Sequence, residues 1–403
     1  MATVSDDRQR QVVEHLQDWN AGRDPIRLDM KYQAMAASLA AFVRGTCSLF
    51  YLRARTRALP HSPVLSICGD VHVGNFGVYR SDDGRLRFDL NDFDEAAAAP
   101  VLHDVVRLQV AFLTMTADAE AGAAMAALAI EAYIKTLRSD QHAALNADAP
   151  EPPIPGLFLR ATRRDEKRDG WLDERTVRAP HGERRFRLDR IKTLPCSAGE
   201  RRALFRAAID LGRSFGAERI FEPIDAARRI SGLGSLGLPR FLLMLRGDAA
   251  GVRLLDVKAG RPSALASGLG LEQATGSQSD QAARIVEVQS TILERPSSPL
   301  AAISLLGDRF IVRELQSAAV RLDPSFTYPA RLGHVLGEAL ARAHRRTAQR
   351  EGAAARLDAF ACDAPDWFPR VAAAATDLSR LCREDWHAYR DAYHSGAFAS
   401  HRD

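Results

Sequence analysis

The sequence predicts an α+β fold with a small β-rich part and a larger helical part. Short apolar strands separated by polar, glycine-containing turns occur twice, at 64–90 and at 230–257. Stretches rich in alanine and leucine, as at 102–113 and 118–137, have strong helix-forming composition. With 403 residues, 46% of them hydrophobic, the chain is long enough to bury one large core or two smaller ones.

The first elements are predicted to bring two polar motifs together. Apolar residues at helical spacing predict a helix over 31–58, which leads into a short strand at 64–67. Two further strands flank the turn at 81–84 and form one hairpin. Because the polar motifs at 69–75 and 91–95 lie at the open end of this hairpin, its pairing places them close in space.

The remaining elements continue the mixed pattern. Segment 160–192 carries twelve basic and seven acidic residues, which predicts a surface excursion with a solvated face or a flexible loop, or else a contact with an anionic substrate. Beyond it, the sequence predicts a glycine-rich hairpin at 230–245, a third strand ending at Lys258, a helix at 281–294, a strand at 310–315, and helices at 328–349 and 371–393.

The two polar motifs have the composition of a phosphotransfer site. In GDVHVGNF (69–76), Asp70 and Asn75 have the spacing of a kinase catalytic loop, with Asp70 as the base and Asn75 as a magnesium ligand. In NDFDE (91–95), Asp92 is the predicted second metal anchor and Asp94 a further ligand. The alternative is that these are polar turn residues, since Asp, Asn and Gly are common in turns.

The glycine-rich hairpin predicts a phosphate-binding loop. Gly232, Gly234 and Gly237, with Ser235 between them, have a spacing shared by kinase glycine loops and Rossmann turns. A Rossmann turn opens a helix, whereas here an apolar strand follows, and Lys258 stands one strand later, as in kinases. The alternative is a tight hairpin with structural glycines.

Four residues are predicted to support the site. Asp104 is predicted either to support the backbone of the catalytic loop or to be only an acidic residue in the first turn of a helix. His72 is predicted to be a hydrogen-bonded structural residue, with a metal ligand as the alternative. Glu287 is the predicted partner of Lys258, with Glu272 as the alternative.

Composition limits the compartment and the partners. The net charge of +4 is small for this length and does not suggest nucleic-acid binding. Five widely spaced cysteines without a C-x-x-C pair favour reduced thiols over disulfides or structural zinc. The chain shows neither a signal-peptide pattern nor an apolar run of membrane-spanning length, so we expect a cytoplasmic protein without membrane contact.

The motifs together resemble a known family over nearly the whole chain. GDVHVGNFG (69–77), NDFDE (91–95), GLGSLG (232–237), VK (257–258) and VREL (312–315) resemble the bacterial family called domain of unknown function 2252. The first two motifs are also similar to those of aminoglycoside phosphotransferases and the wider protein-kinase-like superfamily. This resemblance implies ATP, Mg²⁺ and phosphoryl transfer to a hydroxyl-bearing small molecule or protein.

The order of the motifs differs from that of kinases, because the glycine loop and the lysine follow the catalytic loop. We therefore expect a circularly permuted, two-lobed kinase-like fold. Residues 1–221 would form the first part of the larger lobe, 222–317 the small nucleotide-binding lobe, and 318–403 the helices that complete the larger lobe.

Other functional classes compete with a kinase. A metallophosphoesterase needs more histidines and an Asn-His pair, which the chain lacks, and the G-x-S-x-G match at 212–216 falls at the end of a predicted helix instead of after a strand. An inactive kinase-like nucleotide sensor and a nucleotidyl transferase remain alternatives on the same fold.

Overall fold

The protein has a mixed α+β fold with several small sheets. The computed structural model describes residues 4–115, 118–147, 154–179, 182–247, 251–271, 280–323 and 330–398. Its α-helices are α1 (Val4–Trp19), α2 (Pro25–Ala37), α3 (Leu39–Gly45), α4 (Cys47–Ala54), α5 (Leu102–Met115), α6 (Ala119–Leu137), α7 (Pro155–Glu166), α8 (Arg168–Arg175), α9 (Ala198–Ser214), α10 (Ala264–Leu269), α11 (Gln281–Ile292), α12 (Arg331–Arg350), α13 (Ala354–Cys362) and α14 (Ala364–His394).

The strands are shorter and form four sheets. They are β1 (Val64–Ile67), β2 (Phe76–Arg80), β3 (Leu86–Leu90), β4 (Ala97–Pro100), β5 (Leu145–Asn146), β6 (Thr176–Arg178), β7 (Arg184–Phe186), β8 (Thr193–Pro195), β9 (Pro223–Arg229), β10 (Arg240–Arg246), β11 (Val252–Ala259), β12 (Leu300–Leu305), β13 (Asp308–Glu314) and β14 (Val320–Arg321).

The largest sheet has six antiparallel strands in the order β12-β13-β11-β10-β9-β8. One face packs on α9, where Leu204 and Leu211 bury their side chains with Phe241 and Phe310. We predicted that the β-rich unit begins at residue 222, but β8 and α9 precede that position and belong to this sheet and its core. Successive apolar residues of β10 point to opposite faces of the sheet, and β11 also contributes apolar residues to both faces. Both faces are therefore covered by other elements.

Segment 160–192 is more ordered than its charge predicts. It forms most of α7, all of α8 and the β6–β7 hairpin. Trp171, Leu172 and Phe186 are buried in it and pack with Leu242 and Met244 of the sheet. The few large apolar side chains therefore decide its placement, and the arginines lie around them.

The predicted hairpin of the two polar motifs is β2–β3. Phe76 pairs with Leu90, and β14 and β5 extend the sheet on either side. At its open end, the Asn91 amide donates to the Asn75 carbonyl at 3.0 Å. β1 pairs with β4 just outside the two motifs, so both are fixed at each end by strands.

Helices α1–α6 and α12–α14 form a helical body with one large core around α5, α6, α12 and α14. The single helix predicted over 31–58 is wrong, because the chain forms parts or all of α2, α3 and α4 there. Ser38 interrupts the first two by accepting a hydrogen bond from the Ala41 amide at 3.1 Å, which makes it the N-cap of α3. Within the described residues, no helix is both long and apolar enough to cross a membrane.

Candidate functional site

A cleft of about 430 Å³ lies between the six-stranded sheet and the helical body. Nine of the twelve predicted site residues line it, and Gly237, Asp104 and Glu287 do not. The nine are Asp70, His72, Asn75, Asp92, Asp94, Gly232, Gly234, Ser235 and Lys258. The two motif groups are thus brought to one cavity although more than a hundred residues separate them in sequence.

The loop at 68–75 is held by a buried carboxylate beneath it. Asp104, in the first turn of α5, is fully buried and accepts hydrogen bonds from the amides of Cys68 at 2.9 Å and Gly69 at 2.8 Å. Gly69 has φ +83°, and a Cβ there would lie 2.2 Å from the Glu95 carbonyl oxygen. Glycine is therefore required at this position, and the loop is tied to α5 and to the segment after Asp94.

The two carboxylate oxygens of Asp70 have different environments. Oδ1 accepts from Arg107 Nη2 at 2.8 Å and from Nε at 3.2 Å, and the Arg107 side chain is fully buried. Oδ2 lies 3.6 Å from His72 Nε2, which is too long for a hydrogen bond. Arg107 thus fixes the carboxylate, and Oδ2 remains to accept a proton from a ligand in the cleft.

Asn75 is oriented so that its side-chain oxygen has no protein partner. Its Nδ2 donates to the carbonyls of Asp70 at 3.0 Å and Asp92 at 2.9 Å. Because only the amide nitrogen can donate to two carbonyl oxygens, this contact settles the orientation of the amide. Oδ1 is buried and has no hydrogen-bond partner among the described residues, which suits a ligand to a cation.

Asp92 and Asp94 meet the ammonium of Lys258 across the cleft. Lys258 Nζ is in direct contact with Asp94 Oδ2 and lies 3.7 Å from Asp92 Oδ1. Burial would raise the pKa of Asp92, but Lys258, Arg321 and Arg313 hold that pKa below its usual value. Asp92 is therefore ionised at neutral pH and available to a cation.

The oxygen ligands at this place fit Mg²⁺. Carboxylates of Asp92 and Asp94 and the unpartnered Oδ1 of Asn75 are hard ligands of the kind that Mg²⁺ binds, usually with several waters or phosphate oxygens in addition. In the described part of the chain, no group of three or more His, Cys, Asp or Glu side chains is arranged to hold a metal. Waters or phosphate oxygens would therefore have to complete the coordination.

The glycine-rich loop at 230–239 is held from both sides by arginines. Arg240 donates to the Ser231 carbonyl at 3.0 Å, and Arg23, from the segment before α2, donates to the carbonyls of Gly234 at 2.7 Å and Leu236 at 2.9 Å. Gly237 has φ +84°, and a Cβ there would lie 2.8 Å from Cβ of Arg23. The loop is therefore tied to the helical body at its far end.

The hydroxyl of Ser235 is used within this loop. It donates to the Ser231 carbonyl at 3.0 Å, and the side chain is largely buried. Gly232 has φ +84°, which permits the turn that brings these two residues together. The serine thus stabilises the shape of the loop, and the backbone of Gly232 and Gly234 faces the cleft.

Sequence reasoning missed a cluster of three arginines around a buried carboxylate on the sheet. Asp256 accepts a bidentate contact from Arg240 at 2.7 and 2.5 Å, and it also pairs with Arg229 at 3.0 Å and Arg313 at 3.3 Å. Burial would raise the pKa of Asp256, but Arg240 and Arg229 hold it well below its usual value. Three guanidinium groups around one carboxylate leave a positive charge at the wall of the cleft.

A signal for this cluster exists in the sequence. Asp256 and Lys258 are charged residues that alternate with Leu255 and Val257, so they share one face of β11. The partner strands place Arg240 opposite Lys258, and Arg313 opposite Asp256. The charged residues come together only in this register, which depends on how β11 pairs with strands that are distant in sequence.

The structure does not bring Glu287 to Lys258. Glu287 is exposed on α11 and does not line the cleft, and Asp94 and Asp92 are the carboxylates next to the lysine. The residue of α11 that reaches the metal motif is Arg284, whose guanidinium donates to the carbonyl of Asp94 at 2.9 Å. The alternative partner, Glu272, lies outside the described residues.

The geometry also bears on the hydrolase alternative. Ser214 is the last residue of α9, and its hydroxyl donates to the Leu211 carbonyl at 2.8 Å. A nucleophile elbow needs a sharp turn between a strand and a helix, which is absent at this position. The G-x-S-x-G match is therefore a helix terminus.

Comparison with known proteins identifies the family of the chain. No protein of curated function and no solved structure matches the chain. A family model described as an uncharacterized protein conserved in bacteria, DUF2252, matches residues 23–392, which include both polar motifs, the glycine-rich loop and Lys258. The chain therefore belongs to the DUF2252 family.

Proposed function

We propose that the cleft binds ATP with Mg²⁺ and transfers a phosphoryl group to a hydroxyl group of an acceptor. The observation that carries this proposal is the position of Lys258, which reaches from the sheet to within 3.7 Å of Asp92 on the opposite wall. A cation, two carboxylates and an unpartnered amide oxygen at one place are what a metal-bound polyphosphate requires.

Each residue has a separate role in this proposal. Lys258 neutralises phosphate charge, and the Gly232 and Gly234 backbone approaches the phosphates closely. Asn75 and Asp92, with Asp94 beside them, would hold Mg²⁺, which supplies charge neutralisation to the phosphates when it is bound.

Asp70 is the proposed base. Its Oδ2, which Arg107 leaves unpaired, accepts the proton of the acceptor hydroxyl as that oxygen attacks phosphorus. Asp104 positions Asp70 indirectly by holding the backbone of Cys68 and Gly69. The hydroxyl of the acceptor must therefore enter on the helical-body side of the cleft, where Asp70 and His72 lie.

We also propose that the fold is a two-lobed, circularly permuted kinase-like fold. The support is the order of elements along the chain. The glycine-rich loop joins β9 and β10, Lys258 is on the following strand, β11, and α11 comes before β12 and β13. The helical body carries the loop with Asp70 and the metal motif, as the larger lobe of a kinase does.

The test is the fate of two isotopic labels. The protein is incubated with a cell extract and ATP labelled at either the α- or the γ-phosphate, with Mg²⁺ present. We expect the γ label alone to move to an acceptor, and we expect Lys258→Met to abolish the transfer while the exposed control Lys192→Met leaves it intact.

Transfer of the α label instead would contradict phosphoryl transfer and identify a nucleotidyl transferase. ATP binding without transfer of either label would support a nucleotide sensor. Equal transfer by Lys258→Met and by the unchanged protein would show that the cleft is not the site of the reaction.

A further inference from the structure

Arg44 places a cation in the cleft. It lies in the last turn of α3 and lines the cleft near Asp70 and His72. Its Nε is buried without a hydrogen-bond partner, and its guanidinium makes no ion pair within the described part of the chain. A half-buried, unpaired guanidinium is costly unless a ligand satisfies it, so its position points to an anion.

His72 presents a second unsatisfied group next to it. Its side chain is 7% exposed and lines the cleft, and its Nδ1 is buried without a partner among the described residues. This ring nitrogen can therefore make a hydrogen bond to a ligand in the cleft.

The charges of the whole cleft favour a second anion in addition to a nucleotide. Its described lining contains ten Lys and Arg side chains and six Asp and Glu side chains. Arg229, Arg240 and Arg313 cluster on the sheet side around Asp256, whereas Arg44 stands on the Asp70 side. A nucleotide whose phosphates contact Lys258 and whose charge is partly neutralised by Mg²⁺ leaves Arg44 without a partner.

We propose that Arg44 and His72 form an acceptor subsite for a small, hydroxyl-bearing molecule that also carries an anionic group, either a phosphate monoester or a carboxylate. This inference rests on the proposed phosphotransfer, because it assumes that Asp70 faces the acceptor hydroxyl. Arg44 binds the anionic group, and Nδ1 of His72 makes a hydrogen bond to the acceptor.

In the reaction, the hydroxyl proton passes to Oδ2 of Asp70 and a bond forms between the hydroxyl oxygen and the γ-phosphorus. The bond between that phosphorus and the β,γ-bridging oxygen breaks, and its electron pair leaves with ADP. An anion bound by Arg44 fixes the acceptor so that this oxygen, and not another, meets Asp70.

The test measures the binding of candidate acceptors while the proposed nucleotide site is occupied. The protein is saturated with a non-hydrolysable ATP analogue and Mg²⁺ and titrated by calorimetry with glycerol 3-phosphate, with glycerate and with glycerol. We expect at least one of the two anions to bind saturably and glycerol not to bind.

The variants then assign the binding to Arg44. Arg44→Gln should weaken the binding of the anion by at least tenfold without changing the affinity for the analogue. Arg44→Lys should weaken the binding of the anion less, because the charge is kept. The exposed Arg85→Gln, outside the cleft, should have no effect. Binding of glycerol 3-phosphate rather than glycerate would identify a phosphate monoester, and the reverse a carboxylate.

Three outcomes would overturn the subsite: glycerol binding as well as the anions, no binding of either anion, or Arg44→Gln weakening the analogue instead of the anion. The last would assign Arg44 to the nucleotide. Failure of the analogue itself to bind would overturn the proposed function together with the subsite, so the two failures are distinguishable.

Discussion

Asp70 makes a contact that its motif does not predict. The motif spacing predicts a base, but the structure adds an ion pair with Arg107, whose side chain is wholly buried. Replacing the carboxylate therefore removes the proposed proton acceptor and also leaves a buried guanidinium without its counter-charge. The two effects are separable, because one changes turnover and the other changes stability.

We expect Asp70→Asn to lower phosphoryl transfer by about 10²- to 10⁴-fold, the usual contribution of a general base, with little change in ATP affinity. We also expect the free energy of unfolding to fall by on the order of 1–3 kcal/mol, because Arg107 loses its partner. Transfer kinetics and denaturant unfolding measure the two effects, with the exposed Asp308→Asn as control. Near-normal transfer by a folded Asp70→Asn protein would contradict the role of Asp70 as the base. Its remaining role would be the ion pair with Arg107.

At the residue scale, the motif residues were predictable and their partners were not. Asp70, Asn75 and Asp92 follow from spacing within one short segment. Arg107 and Arg44 reach the site from separate helices, and nothing in their local sequence distinguishes them from arginines at the surface. Their function depends on packing, which a single sequence does not express.

Among the elements, the glycine-rich loop is the one that we propose contacts the phosphates of the nucleotide. Arg23 donates to the carbonyls of Gly234 and Leu236, and the Asp24 amide donates to the Gly237 carbonyl at 3.0 Å. These contacts connect the loop to the start of α2 across the edge of the cleft. A loop held in place loses less conformational freedom when phosphates bind.

We expect Arg23→Ala to weaken binding of the ATP analogue by roughly tenfold, which corresponds to about 1.4 kcal/mol. Amide hydrogen exchange in residues 231–238 should become faster, because the loop loses its contacts with the helical body. Arg27→Ala, in the first turn of α2, serves as control. Unchanged exchange in the loop would show that Arg23 does not hold it, whatever happens to affinity.

Helix α11 shows what the sequence can and cannot predict about an element. Its position, predicted at 281–294 and found at Gln281–Ile292, followed from apolar periodicity. The choice of Glu287 as the partner of Lys258 was wrong, because the acid lies on the exposed face and Arg284 lies on the buried one. Which face of a helix approaches a distant strand is decided by tertiary packing.

For the whole molecule, the lowered pKa values of two histidines predict sensitivity to acid. Burial lowers the pKa of His103 to about 4 and that of His72 to about 3. In the unfolded chain both have an ordinary pKa near 6.5, so the unfolded state takes up protons first as pH falls. Stability is therefore greatest above about pH 6.5 and decreases toward pH 4.

We expect His103→Phe to reduce this loss. The His103 ring packs edge-on against Tyr51 with centroids 6.0 Å apart, so an aromatic replacement keeps the contact and removes the proton uptake. For His103 alone, the loss between pH 6.5 and 4 is on the order of 3 kcal/mol. Unfolding free energies across this range measure it, with the exposed His61→Phe as control; an equal pH slope in both variants would contradict the assignment.

At the scale of the whole molecule, the mixed α+β class and the proximity of the two polar motifs could be predicted from the sequence. The predicted boundary at 222 was not accurate, because β8 and α9 join the six-stranded sheet from the preceding sequence. Segment 160–192 was predicted as a surface excursion from its charge, although Trp171 and Phe186 anchor it to the sheet. Both errors concern contacts with strands that lie far away in sequence, and such contacts have no local signal.

The central claim is that one cleft, built from segments far apart in sequence, binds ATP through Mg²⁺. Calorimetric titration of the intact protein with ATP, with and without Mg²⁺, tests it most directly, alongside Lys258→Met and Asp92→Asn. We predict saturable binding that requires Mg²⁺, weaker binding by Lys258→Met, and a weaker dependence of binding on Mg²⁺ in Asp92→Asn. Absence of binding to the folded, unaltered protein in the presence of Mg²⁺ would contradict the claim.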